Sequence, residues 1–230
     1  MPEELKDMQK AVGLDWRKAL PELSQYAYNK FYKIIGPVIV GIELIKLPYT
    51  REYRPHFVVY PLWGDDIKSC LQYPIILQEF RGRKGLQIDI DYEKHSSSYQ
   101  EAVGYVKAQM SVTLDGNILL GDLLKLFNDY SKQPPLSVAP NSYLQAALHQ
   151  QKLCVALYSG VNNVIDAIVN DIQTRNWDKQ HFALCKIDMQ KWLLSISELA
   201  QNRDSLLKKI TVNKQDKKIA RLSRSEVILA

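Results

Sequence analysis

The chain reads as an α+β protein, with a mainly antiparallel four-stranded sheet packed with helices and then a small helical domain. Three observations carry that reading. Residues 34–93 are short apolar runs rich in Val, Ile and Tyr, broken by Gly, Pro and Asp. From Asn141 onward the apolar residues recur at helical spacing. Between these regions, Ser131 to Asn141 holds three prolines in eleven residues, the composition of a linker. The organisation expected is a sheet domain over residues 1–131, a Pro-rich linker over 132–141, a helical bundle over 142–210 and a mobile basic tail over 211–230.

Taken in order, the apolar stripe Leu20, Leu23, Ala27, Phe31 and Ile34 predicts a helix from Asp15, its N-cap, to Ile34. Gly36-Pro37 ends it. Pro37 to Leu47 predicts a strand that is apolar on both faces, and so central in its sheet. Pro48 to Arg54 reads as a polar turn, and Pro55 to Trp63 as the partner strand of a hairpin. Gly64-Asp65-Asp66 breaks that strand before a short helical stretch toward Leu71. Tyr73 to Phe80 is the third strand, with Pro74 at its start where a missing N–H does least harm. Arg81 to Gly85 is a turn. Leu86, Ile88, Ile90 and Tyr92 then alternate with Gln87, Asp89, Asp91 and Glu93, the pattern of a half-buried fourth strand with an acidic outer face.

Helix resumes at Ser96 to Leu114 through Tyr99, Val103, Val106 and Met110, with Ser98 and Glu101 placed for a capping box. Asp115-Gly116 is a turn, and Ile118 to Tyr130 a short amphipathic helix. Beyond the prolines, helices are expected over Ser142–Tyr158, Val161–Asn176 and Asp188–Ile210, with Trp177 to Ile187 ambiguous.

Composition narrows the class. Apolar residues make up 46% and charged residues 24%, ordinary for a globular protein. Cys70, Cys154 and Cys185 are odd in number and far apart, so neither a disulfide framework nor a Cys-x-x-Cys metal site is expected, and a reducing, cytoplasmic setting fits. Met1 to Lys10 is too polar for a signal peptide, and the longest apolar run, Ile34 to Ile42, is too short to span a bilayer. The net charge of +5 lies wholly in the last thirty residues, where eight basic side chains face three acidic ones.

Candidate chemistry is sparse. Asp89, Asp91 and Glu93 share one strand face, with neighbours about 7 Å apart, a spacing able to hold Mg²⁺ or Mn²⁺. Yet the acidic-x-Lys tripeptide of restriction-endonuclease-like nucleases is missing, because Tyr92 stands two before Lys94. His56, His95, His149 and His181 form no metal-binding pair in sequence. Cys70 or Cys154 with His56 or His149 is the only nucleophile–base combination to consider, against the commoner role of cysteine as a small buried hydrophobe. Arg81 to Gly85 lacks the Gly-Lys-Ser/Thr ending of a P-loop. No cofactor signature is present. Tyr49, Arg51, Tyr53 and Arg54 fall together in one hairpin loop, and Tyr and Arg dominate interface hot spots.

These residues favour a non-enzymatic protein-binding module or accessory subunit of a cytosolic complex. Its partner surface is expected at Tyr49, Arg51, Tyr53 and Arg54, at Asp89, Asp91 and Glu93, and at Lys214, Lys217, Lys218, Arg221 and Arg224. The layout is compatible with small bacterial binding proteins, such as the toxin-neutralising immunity proteins of bacterial defence. A nucleic-acid-associated protein using the basic tail is the alternative, and a metal-dependent hydrolase or nuclease on the acidic strand face is a second.

Overall fold

A computed structural model describes residues 3–229 of the chain. Its centre is a meander of three long antiparallel strands: β2 (Lys30–Ile35), β3 (Val38–Lys46) and β4 (Glu52–Pro61). The outer lane on each side is filled by two short strands laid end to end. Beside β2, β1 (Ser24–Ala27) pairs with Lys30–Tyr32, and the C-terminal β8 (Ser223–Ser225) runs parallel to Lys33–Ile35. Beside β4, β5 (Ile76–Glu79) pairs with His56–Val59, and β6 (Ile90–Asp91) with Glu52–Tyr53. A second, two-stranded sheet joins β7 (Ile118–Leu119) to β9 (Val227–Ile228) in parallel. The architecture is α+β, with a five-strand antiparallel core followed by a helical region.

Strand alternation sends the two faces of the sheet into two cores. On β3, Val38, Val40, Ile42 and Leu44 enter the first, with Phe31 and Ile35 of β2 and Phe57 and Val59 of β4. This core is covered by α1 (Glu3–Ala19), α3 (His95–Gln109) and α4 (Leu120–Ser131), which deliver Leu5, Val12 and Trp16, then Ala102 and Val106, then Leu123 and Phe127. Ile39, Tyr32, Ile34, Val58 and Tyr60 face the second core. The helices above them are α5 (Tyr143–Ser159), α6 (Asn162–Thr174), α7 (Lys179–Leu184), α8 (Met189–Gln201) and α9 (Arg203–Lys214). A single turn, α2 (Ile67–Cys70), buries Ile67 and Cys70 in the same cluster. Both clusters draw residues from either side of the Pro-rich segment, since Leu148 and Val155 of α5 reach the first.

Several expectations hold. β3 is buried along most of its length, as a doubly apolar strand should be. The helices expected from Ser142 and from Asp188 are present: Ser142 turns out to cap α5, which Gly160 ends at φ 73°, and Asp188 to cap α8 through the Gln190 and Lys191 amides. The expected third helix breaks in two at Asn202.

The helix predicted over Asp15–Ile34 does not exist. Its first residues end α1, and residues 24–35 form the β1–β2 hairpin. Pro21 disfavours helical geometry at Leu20, and Tyr26, Tyr28, Phe31, Tyr32, Ile34 and Ile35 prefer strand. Their burial on alternating faces outweighs the helical spacing of five apolar positions. The sheet therefore gains two strands. Asp15 lies inside α1 rather than capping a helix. Ser98 and Glu101 form no capping box, because α3 begins earlier, at His95, without a side-chain cap. The acidic strand keeps its alternation at Ile88, Ile90 and Tyr92, all buried, but only Ile90–Asp91 pairs with β4, and Leu86 is exposed. The Pro-rich segment packs: Leu136 is buried, and Gln145 Nε2 donates to the carbonyls of Ser131 and Leu136. No helix among the described residues is long and apolar enough to cross a membrane.

The segment expected to be a mobile tail is built into the sheet. Ile219 and Leu222 are buried in the second core, and β8 and β9 close both sheets. Replacing Ile219 by Ala is therefore expected to cost about 2–5 kcal/mol in urea unfolding, the range for deleting a buried aliphatic side chain. A cost below about 0.5 kcal/mol, as for a surface position, would contradict this packing.

Candidate docking groove

The hairpin loop and the acidic strand, predicted as two partner surfaces, neutralise each other. Arg51 pairs with Glu93. Arg54 forks onto Asp89, with Nε donating to Oδ1 at 2.6 Å and Nη2 to Oδ2 at 3.0 Å, while its Nη1 donates to Glu79. The hydrogen bonds that Arg54 donates to Asp89 raise its pKa further above neutrality. Burial opposes the charge of Glu79, but hydrogen bonds from Gln87 and Arg54 hold its carboxyl below the usual range. Asp91 Oδ1 accepts the Glu93 amide at 2.7 Å. The cation that faces Asp89 is thus Arg54. No group of three or more His, Cys, Asp or Glu side chains among the described residues is placed to hold a metal ion.

Tyr53 and Arg54 belong to β4, not to the loop, because strand pairing with β3 runs on to Lys46↔Tyr53. Tyr53 is fully buried, so it is not a surface contact. Its hydroxyl accepts from Trp16 Nε1 at 3.0 Å, which leaves its own proton for His95 Nδ1 at 2.7 Å. His95 is then the Nε2–H tautomer, donating to Asp15 at 3.3 Å. This chain ties α1, β4 and α3 together, and no short-range sequence spacing announces it. At the loop tip, Tyr49 is fully exposed at φ 66°, a left-handed conformation uncommon outside glycine.

The C-terminal cations divide. Lys214 is half-buried, with its ammonium 5.3 Å from the centre of the Tyr158 ring and 3.9 Å from Glu226. Lys217, Lys218, Arg221 and Arg224 are exposed. Arg224 donates to the Lys214 carbonyl, and Arg221 reaches across to the Tyr26 carbonyl at 3.3 Å.

Arg221 thereby joins a groove of about 930 Å³ between the end of α1 and β1. Arg17 and Lys18, in the last turn of α1, form its other rim, where the carbonyl end of a helix favours cations. Tyr26 and Tyr28 line it, with Tyr28 and Leu14 about half exposed. No carboxylate lines it among the described residues, although Asp15 stands 3.6 Å from the Lys18 ammonium outside the lining. The floor is rigid. Tyr26 stacks on Tyr32 at 5.2 Å, Tyr32 donates to the buried Glu43, and Glu43 also accepts from Tyr60 at 2.7 Å and Lys30 at 3.1 Å. Burial and the adjacent Glu43 carboxylate push the Tyr32 phenol far up, keeping it a donor. Nothing local in the sequence brings Arg17 and Lys18 to Tyr26 and Tyr28, because residues 15–34 read as one helix. The dense tyrosines there were the available signal.

Among the described residues no hydrogen bond joins Cys70 or Cys154 to His56 or His149, whose ring nitrogens meet the carbonyls of Arg54 and Gln145. Burial pushes the Cys154 thiol up to about 12 and raises that of Cys70, whose sulfur accepts from Asn213. The chain matches no family model, no curated protein and no solved structure.

His56, His95 and His149 are all held below the usual histidine range, in each case chiefly by burial. A base with a depressed folded-state pKa binds its proton more readily in the unfolded chain. Stability is therefore unaffected above about pH 6.5, where unfolded histidine is neutral, and declines below it. The urea midpoint is expected to fall as pH is lowered from about 6.5 toward 5, and His95→Gln to flatten that fall. A midpoint that rises over this interval would contradict the three neutral histidines.

Proposed function

We propose that the chain is a non-catalytic protein-binding module, or an accessory subunit, that takes an acidic segment of its partner in the groove between α1 and β1. The observation that carries this reading is the convergence of Arg17, Lys18 and Arg221, from opposite ends of the sequence, around a tyrosine-lined concavity with no carboxylate in its lining. Tyrosine and arginine are the residue types that concentrate binding energy at protein interfaces. The pairing of Arg51 and Arg54 with Glu93 and Asp89 leaves less unbalanced charge at the β3–β4 hairpin, which favours the groove.

A nucleic-acid ligand is the second reading, favoured by exposed Lys217, Lys218 and Arg224 near Arg221 in sequence. It is weaker because nucleic-acid affinity grows with the number of phosphates neutralised, and three cations rim the groove.

Fluorescence anisotropy with a labelled Glu- and Tyr-rich peptide, alongside a single-stranded oligonucleotide, separates the two. The peptide is expected to bind at low salt, and the Arg17→Ala/Arg221→Ala double variant to weaken it about tenfold or more, equivalent to about 1.4 kcal/mol. Lys84→Ala, in the exposed Arg83–Gly85 turn, should leave it unchanged. Tighter binding of the oligonucleotide, absence of peptide binding, or indifference to the double variant would each overturn the proposal.

A further inference from the structure

A second concavity, of about 460 Å³, lies on the far side of the Pro-rich segment, where the end of α4, the face of α5 and the end of α6 meet. Gln145, His149 and Lys152 reach it from α5 at helical spacing, Asp171 and Arg175 from the last turn of α6 and its exit, and Lys132 from the exit of α4. Ser131, Ser137 and Asn128 add small polar groups.

The charges inside do not balance. Asp171 is already committed: Arg175 Nη2 contacts both its oxygens at 3.1 Å, and His149 Nε2 lies 3.1 Å from Oδ2. His149 Nδ1 stands 3.0 Å from the Gln145 carbonyl, so the single N–H of the neutral ring serves one of these two acceptors. Lys132 and Lys152 have no ion-pair partner among the described residues. Lys132 and Arg175 stand at the carbonyl ends of α4 and α6, where a cation is compensated. Lys152 sits within α5 and has no such compensation. Its ammonium is partly withdrawn from water, which lowers its pKa against the pull of Asp171, and that carboxylate is already shared with Arg175 and His149.

We infer that this cavity is a binding site for a small oxyanion-bearing molecule, a phosphate or carboxylate compound, whose charged group sits against Lys152 and Lys132. The volume is in the range of small-molecule sites, and a few convergent polar groups are what orient such a ligand. Arg175 and Asp171 stay paired and form the wall, and Ser137 offers its hydroxyl to the rest of the molecule, that of Ser131 already donating to the Asn128 carbonyl. The site is separate from the α1–β1 groove and does not rest on a protein partner.

Isothermal titration calorimetry with pyrophosphate and with citrate tests it on the full chain. At least one probe is expected to give a saturable isotherm with the wild type. Lys152→Met, which keeps the apolar stem, should weaken it about tenfold or more, and Lys152→Gln should do likewise. Lys84→Met, on the exposed turn after β5, should leave it unchanged. No saturable binding of either probe, or equal binding by both Lys152 variants and the wild type, would overturn the inference. Saturable binding lost equally in Lys84→Met would mark a diffuse charge effect and overturn it too. Equal urea midpoints of the variants and wild type without probe would show that lost binding is not lost folding. If Lys152→Met unfolds, Lys132→Ala takes its place and must weaken binding for the inference to stand.

Discussion

The pairing of β8 with β2 is the constraint on which the rest of the structure depends. Lys33, Ile34 and Ile35 face Ser223, Arg224 and Ser225 in parallel register. The contact is close at the β2–β3 turn. Gly36 there has φ 49°, its amide donates to the Ser225 carbonyl at 3.0 Å, and a Cβ on it would meet Val227 at 2.5 Å. A side chain at position 36 would suffer both backbone strain and this collision. The turn that starts the central meander therefore also receives the end of the chain. Through it the exit of the helices over the second core is fastened to the sheet.

The same strands explain how a sheet buried on both faces tolerates polar residues. Glu43 and Lys33 are buried on neighbouring strands. Glu43 is satisfied by two tyrosine hydroxyls and an ammonium, and Lys33 donates to the Leu114 carbonyl. A buried charge is tolerable where several directed hydrogen bonds replace water. This satisfied network lies beneath the α1–β1 groove, so the tyrosines at its surface are held from below.

Much of the architecture is legible in the sequence. The doubly apolar β3, the inward residues Ile88, Ile90 and Tyr92 of the acidic strand and the helix starts at Ser142 and Asp188 rest on local rules, and these positions obey them. Residues 15–34 are the instructive exception. Their apolar positions fit a helical stripe, but pairing with β3 and β8 decides their conformation, and β8 lies at the other end of the sequence. The candidate sites fail to read for the same reason. Arg221 was recognisable as part of a basic segment, yet its neighbours Arg17, Lys18 and Tyr26 are set by topology. Arg54 and Asp89 were each singled out, but nothing local says that they pair with one another and leave less charge for a partner.

The β2–β8 pairing also has a consequence for synthesis. About 190 residues separate its two strands in sequence. At about 5–20 residues per second, β2 waits roughly ten to forty seconds for its neighbour to be translated. Until α5 is made, Tyr32, Ile34 and Ile39 face no helices, and until β8 is made one lane beside β2 is half empty, the kind of open edge that recruits other chains. Closing a loop of that length costs entropy that only the finished contacts return, which slows folding of the released chain as well. The nascent chain thus exposes a strand edge that the finished fold covers.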